Sequence, residues 1–180
     1  FVKEFPEGFH KATFGTSGGN IPWYGVVLET GNPGITWEAL GVIGVGSRSF
    51  RAFNGNHLSA QMQQRQPDLV VLMIGGNEAG WPVLMSGDGS AYQPYYRTAL
   101  DTVRAGAPNA SCLVVSPLDQ GTRDGDGKAK SKASIQRMVT AQQQVAHASG
   151  CAFWSAYDAM GGSGTIVRWM NMHPPLAWAD

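Results

Sequence analysis

The sequence predicts an α/β domain, a three-layer α/β/α arrangement around a parallel sheet, preceded by a partial β-rich module. Three observations carry that prediction. Residues 69–74 are six consecutive apolar side chains, set off by Pro67-Asp68 and stopped by Gly75-Gly76. The run is too short for a globular helix and lacks its period, so it reads as a strand buried on both faces, interior to a parallel sheet. Two later segments carry apolar stripes at helical spacing: Tyr92, Tyr95, Tyr96, Ala99, Leu100 and Val103, then Ile135, Met138, Val139, Val145 and Ala146. Finally, residues 35–155 alternate β, α, β, α, β, α, β, the order that places helices on both faces of one sheet.

In chain order, residues 9–14 alternate weakly, Ser17-Gly18-Gly19-Asn20 is turn chemistry, and residues 23–28 are aromatic and β-branched, which together predict a β-hairpin over 9–30. A hairpin alone is marginal in water, and residues 1–5 supply at most one more strand, so residues 1–33 read as the tail of a β-sandwich-like module. Asn32-Pro33-Gly34 marks the boundary, and residues 34–180 form the α/β domain. Residues 35–42 are its first strand, aligned with residues 69–74 and leading into a glycine-rich turn. Residues 57–65 form a short helix with Leu58 and Met62 on one face, ended by Pro67. After residues 69–74 comes a loop containing Trp81-Pro82 and the polar run 86–90, placed to shape a pocket. Trp81 is the side chain there that can stack on a sugar ring, although an indole is more often core. Residues 112–115 are a strand. The charged segment 120–132 reads as a solvated, mobile loop that starts at the sheet edge carrying Asn77, where a lid would sit. Residues 152–154 are the last strand, and 165–170 a final helical turn.

Composition narrows the function. A chain of 180 residues with 43% hydrophobic and 14% charged residues has enough apolar material for one real core. Thirteen basic and thirteen acidic side chains cancel, so no attraction to nucleic acid or an anionic membrane is expected, and an uncharged substrate is the simpler expectation. No stretch approaches the ~18 apolar residues of a membrane span. Two cysteines, Cys112 and Cys151, are too few for a disulfide framework or a zinc site. They read as a pair of buried thiols, close enough to bond only if their strands are sheet neighbours. No metal or cofactor is expected.

Function concentrates where residues 69–74 end. Two glycines free the backbone there, Asn77 and Glu78 follow at once, and the carboxyl edge of an open α/β sheet is where ligands sit. A second glycine cluster, Gly41, Gly44 and Gly46, follows the strand predicted over 35–42. One reading is a variant dinucleotide loop with Asp68 as the ribose acceptor, but Asn54-Gly55 interrupts the helix that such a loop must open.

Residues 71–78 resemble block III of the SGNH (GDSL) hydrolases, a hydrophobic strand running into Gly-x-Asn-Asp or Gly-x-Asn-Glu. The resemblance implies a flavodoxin-like fold and a serine esterase in which the Asn77 side chain donates to an oxyanion. It also implies that Gly44, or its neighbour Gly46, is the block II glycine whose N–H is the second donor. Gly15-Thr16-Ser17 imitates the family's block I Gly-Asp-Ser but follows a half-exposed alternating segment where the family has a buried strand, so Ser17 reads as a turn residue. His173 has Met170 where block V, Asp-x-x-His, requires aspartate, and reads as a surface histidine before Pro174-Pro175. Residues 174–180 are similar to the approach to block V. Asp180 would then orient the base, with the histidine three positions further along. Residues 1–180 are thus expected to carry the oxyanion donors without nucleophile or base, and to be inactive alone.

Residues 5–10 and 23–29 are similar to the last strands of a β-sandwich found beside the hydrolase domain in some carbohydrate O-acetylesterases. That implies a secreted or periplasmic protein acting on a small-molecule or polysaccharide ester, an acetylated polysaccharide or peptidoglycan. Two other classes compete: a non-catalytic carbohydrate-binding or scaffold protein that kept the fold and lost the nucleophile, and a nucleotide-binding module built on residues 41–46.

Overall fold

The structure, a computed structural model, describes residues 2–22 and 25–178. The chain divides into two units, Phe1–Leu40 and Gly41–Asp180.

The described residues of the first unit contain neither helix nor strand, and all are exposed. The expected hairpin over 9–30 is therefore not formed there, while Trp23 and Tyr24 lie outside the described residues. Phe9, Phe14, Val27 and Leu28 find no buried face. Residues 35–42 are likewise not a strand, with Ile35 97% and Val42 65% exposed. The physical reason is common to both. β-propensity measures fitness for a half-buried pleated surface, and without a paired neighbour that surface does not exist.

The second unit is an α/β fold whose parallel sheet is flanked by helices. Its sheet has the order β1 (Leu69–Leu72), β2 (Ser111–Val115), β5 (Ala152–Trp154), with Val70 opposite Cys112 and Val114 opposite Phe153. The long helices are α1 (Gly55–Arg65), α3 (Gln93–Ala105) and α4 (Ala133–Ala148), and the short ones α2 (Pro82–Met85), α5 (Ala156–Ala159) and α6 (Thr165–Met170). The Asn54 side chain caps α1 by accepting from the His57 N–H, so Asn54-Gly55 starts this helix rather than interrupting one. Both striped segments are helices as expected. Tyr92, Tyr96 and Leu100 from the first and Met138, Val145 and Ala146 from the second meet Leu72 and Val114 in the main core. Met62 of α1 packs with Val70 and Ala107.

Two expectations for residues 69–74 are corrected. The strand stops at Leu72 and stands at the edge of the sheet, with β2 in the centre. Val70 and Leu72 point into the helix-lined clusters, whereas Leu69 and Met73, of opposite parity, are 49% and 55% exposed. Residues 35–42, expected as a further strand aligned with it, are not a strand.

The cysteines are corrected too. Leu113 lies opposite Ala152 in the parallel pairing of β2 with β5, which leaves Cys112 and Cys151 one step earlier in each segment. They form a disulfide, Cα–Cα 4.8 Å, instead of two thiols. The segment expected to be a mobile loop is also ordered, as an antiparallel hairpin of β3 (Gly121–Arg123) and β4 (Ala129–Ser131). It is anchored by buried Asp119, whose Oδ2 accepts from the Ser131 hydroxyl at 2.6 Å and the Ile166 N–H at 3.1 Å.

Candidate active site

After β1 the chain turns abruptly through Gly75 and a 3₁₀ turn, Gly76–Glu78. Gly75 has φ 135°, and a Cβ there would meet Met138 Sδ at 2.5 Å and Gln142 Nε2 at 2.8 Å. Only glycine fits both conditions. The turn is held from two sides by carboxamides. Gln142 Nε2, from α4, donates to the Ile74 carbonyl at 2.9 Å, and Gln120 Nε2, just before β3, donates to the Gly76 carbonyl at 3.0 Å.

Glu78 is fully buried. A buried carboxylate must be hydrogen-bonded, and its partners come from two directions. Oε1 accepts the Ser47 N–H at 2.6 Å and the Ser47 hydroxyl at 2.5 Å, while Oε2 accepts the Tyr92 hydroxyl at 2.6 Å. Tyr92 in turn accepts from Gln142 Nε2 at 3.3 Å. Burial, followed by the negative field of Glu78, pushes the Tyr92 hydroxyl well above its ordinary value and the Tyr96 hydroxyl upward as well. Tyr92 therefore stays protonated and remains a donor to Glu78. Gly46 closes the contact, since a Cβ there would lie 2.7 Å from Glu78 Cγ.

This clamp brings the two glycine-rich segments together. Asn77 Nδ2 donates to the Val45 carbonyl at 3.2 Å, directly beside Gly44, which has φ 79°. A carboxamide has two N–H donors, so one remains after that bond. Gly44 and Asn77 line one cleft of about 280 Å³, with Gly46, Arg48, Ser49, Glu78 and Trp81 as the other walls. Trp81 is half-buried, set edge-on against Tyr92 and Tyr95 at ring distances of 6.3 and 5.7 Å. It is both packed and part of the cleft wall, so the two readings of this indole are not exclusive.

The other residues singled out in the sequence fall elsewhere. Ser17 is exposed in the first unit, His173 is exposed near the end of the second, and Asp180 lies outside the described residues. The dinucleotide-loop reading of residues 41–46 loses its context, because among the described residues no strand precedes them and a 3₁₀ turn, Ser47–Arg51, follows instead of an α-helix. Asp68 is exposed just before β1, at the opposite end of that strand from the cleft.

Sequence reasoning missed Ser47, Tyr92, Gln142 and Gln120 as the supports of Asn77. Only Gln142 left a signal, an amide at a core-facing position between Met138 and Val145 in an otherwise apolar stripe.

Comparison with known proteins identifies the family and the fold. The profile of the GDSL-like lipase/acylhydrolase family matches residues 7–176. No curated protein matches. A solved structure of a peptidoglycan O-acetylesterase is similar, at 21% identity and TM-score 0.59, over 74% of this chain and 37% of that one. An extracellular lipase from Streptomyces rimosus is matched at 19% identity and TM-score 0.38, over 66% of this chain and 60% of that one. The chain thus spans little more than a third of the O-acetylesterase whose fold it shares.

Proposed function

The chain belongs to the GDSL-like lipase/acylhydrolase family, and on that premise we propose that it is a serine esterase acting on O-acetyl esters of a carbohydrate or of peptidoglycan. The supporting observation is the meeting of Gly44 and Asn77 on one cleft at the carboxyl end of β1. A serine hydroxyl attacks the ester carbonyl and the base takes its proton. The resulting oxyanion receives the Gly44 N–H and the second Asn77 N–H. Collapse expels the alcohol, reprotonated by the base, and water then releases acetate from the acyl-enzyme.

The family match extends back to residue 7 and runs through Gly15-Thr16-Ser17. Ser17 falls inside that match but reads as a turn residue, and no nucleophile is assigned among residues 1–180. Asp180 is assigned to orient the base. No histidine in residues 1–180 has an aspartate three positions before it; the residues there are Glu7, Asn54, Gln144 and Met170. The base is therefore not supplied by any of the four in the family's pattern. A secreted or envelope location is part of the same proposal, supported by the Cys112–Cys151 disulfide, since such bonds persist in oxidising compartments. Among the described residues no helix is long and apolar enough to cross a membrane.

The test is acetate release from acetylated peptidoglycan and from p-nitrophenyl acetate. Residues 1–180 alone should hydrolyse neither faster than buffer, whereas the protein read from the whole gene should turn over, and Ser17→Ala should leave that turnover unchanged. A whole-gene protein that releases no acetate would refute the proposal, and one inactivated by Ser17→Ala would refute the turn reading of Ser17.

A further inference from the structure

Two formal charges line the cleft, and their states differ sharply. Glu78 is fully buried, with both oxygens engaged by Ser47 and Tyr92. Arg48 is exposed and has no hydrogen bond or ion pair among the described residues. Arg51, the next cation along the chain, is already placed over the Tyr95 ring at 4.4 Å. The charge that an entering molecule meets is therefore positive. Around it stand donors: the Gly44 N–H, the remaining Asn77 amide hydrogen and the Ser49 hydroxyl. Two centres of negative charge fit such a wall. One is the oxyanion of the reaction. A carboxylate on the substrate would supply the other.

We propose that Arg48 selects ester substrates whose alcohol part carries a carboxylate, pairing with it while Gly44 and Asn77 hold the reacting carbonyl. The proposal rests on the esterase reading above. An acetyl group is too small to reach a second site, so the anion lies on the alcohol side. A planar guanidinium is suited to binding a carboxylate through two parallel hydrogen bonds. The balanced whole-chain charge makes an uncharged substrate the simpler expectation, and the local imbalance at the cleft argues against it.

The test uses the whole-gene protein with a matched pair of esters, 4-acetoxybenzoate and 4-acetoxybenzamide. The ratio of their kcat/KM values is compared before and after Arg48→Ala, which cancels the difference in leaving-group reactivity. The ratio should fall about two- to fivefold, the size of an exposed ion pair. Arg48→Lys should retain part of it, and the effect should shrink at about 0.5 M salt. An equal loss for both esters, or no change in the ratio, overturns the proposal.

Binding of the products gives a reading independent of turnover. 4-Hydroxybenzoate should bind more tightly than 4-hydroxybenzamide, and the preference should vanish in Arg48→Ala. If neither ester is hydrolysed while that preference holds and depends on Arg48, the esterase reading fails and the anion site stands. If the preference is absent, the anion site fails whatever the turnover.

Discussion

At the scale of single residues the site depends on Glu78, because one carboxylate joins the loop carrying Ser47 to the turn carrying Asn77 through hydrogen bonds of 2.5–2.6 Å. Tyr92→Phe removes one of these donors and leaves a buried charged acceptor short of a partner, so it should cost about 1.5–3 kcal/mol in urea unfolding. The same variant gives a pH signature. Tyr92 has its hydroxyl raised above the ordinary 10.0, so above about pH 10 the unfolded chain loses a proton that the folded chain keeps. The contribution is fully present below pH 10 and is lost as pH rises beyond it, and Tyr92→Phe should therefore show a shallower alkaline loss of stability than the parent. An unchanged slope would mean that Tyr92 ionises equally in both states. Asn77 and Gly44 were singled out by the resemblance of residues 71–78 to a family motif, since glycine and asparagine are equally favoured in ordinary turns. Tyr92 and Gln142 were not, because a residue that packs through its body and bonds through its tip looks like core.

At the scale of elements, the helices were legible and the strands only partly so. An amphipathic stripe identifies α3 and α4 from within the segment, since the period that buries their apolar face is local. A strand is completed by its neighbours. Residues 35–42 and 9–30 have suitable side chains but form no strand pairing among the described residues, whereas residues 112–115 and 152–154 pair with each other. The hairpin 121–131 was hidden by its charge and is held by Asp119, Ser131 and Ile166. The pairing of β2 with β5 carries its own test, because the disulfide of Cys112 with Cys151 closes a separation of 39 residues. Replacing both cysteines by serine should lower stability by about 2–4 kcal/mol, and the native protein should show no titratable thiol after denaturation without reductant. Two thiols per chain would contradict the pairing.

At the scale of the whole molecule, the parallel sheet brings to one end segments that lie far apart in sequence. The Asn77 turn follows β1, Gln120 follows β2, and Gln142 reaches Ile74 from α4. The α/β class was legible from the alternation of elements, and the family from a short motif. The nucleophile was not, because Gly15-Thr16-Ser17 only imitates the family's block I and reads as a turn. The central claim is that Asn77 is an oxyanion donor rather than a support for its own turn. Its side-chain bond among the described residues, to the Val45 carbonyl, is a neutral contact at an exposed position and should contribute about 0.5–1.5 kcal/mol at most. The most direct measurement is kcat and Tm on the same Asn77→Ala variant of the whole-gene protein, with p-nitrophenyl acetate as substrate. The account predicts a fall in kcat of about 10²–10³ with Tm nearly unchanged, whereas a clear drop in Tm with only a modest loss of rate would contradict it.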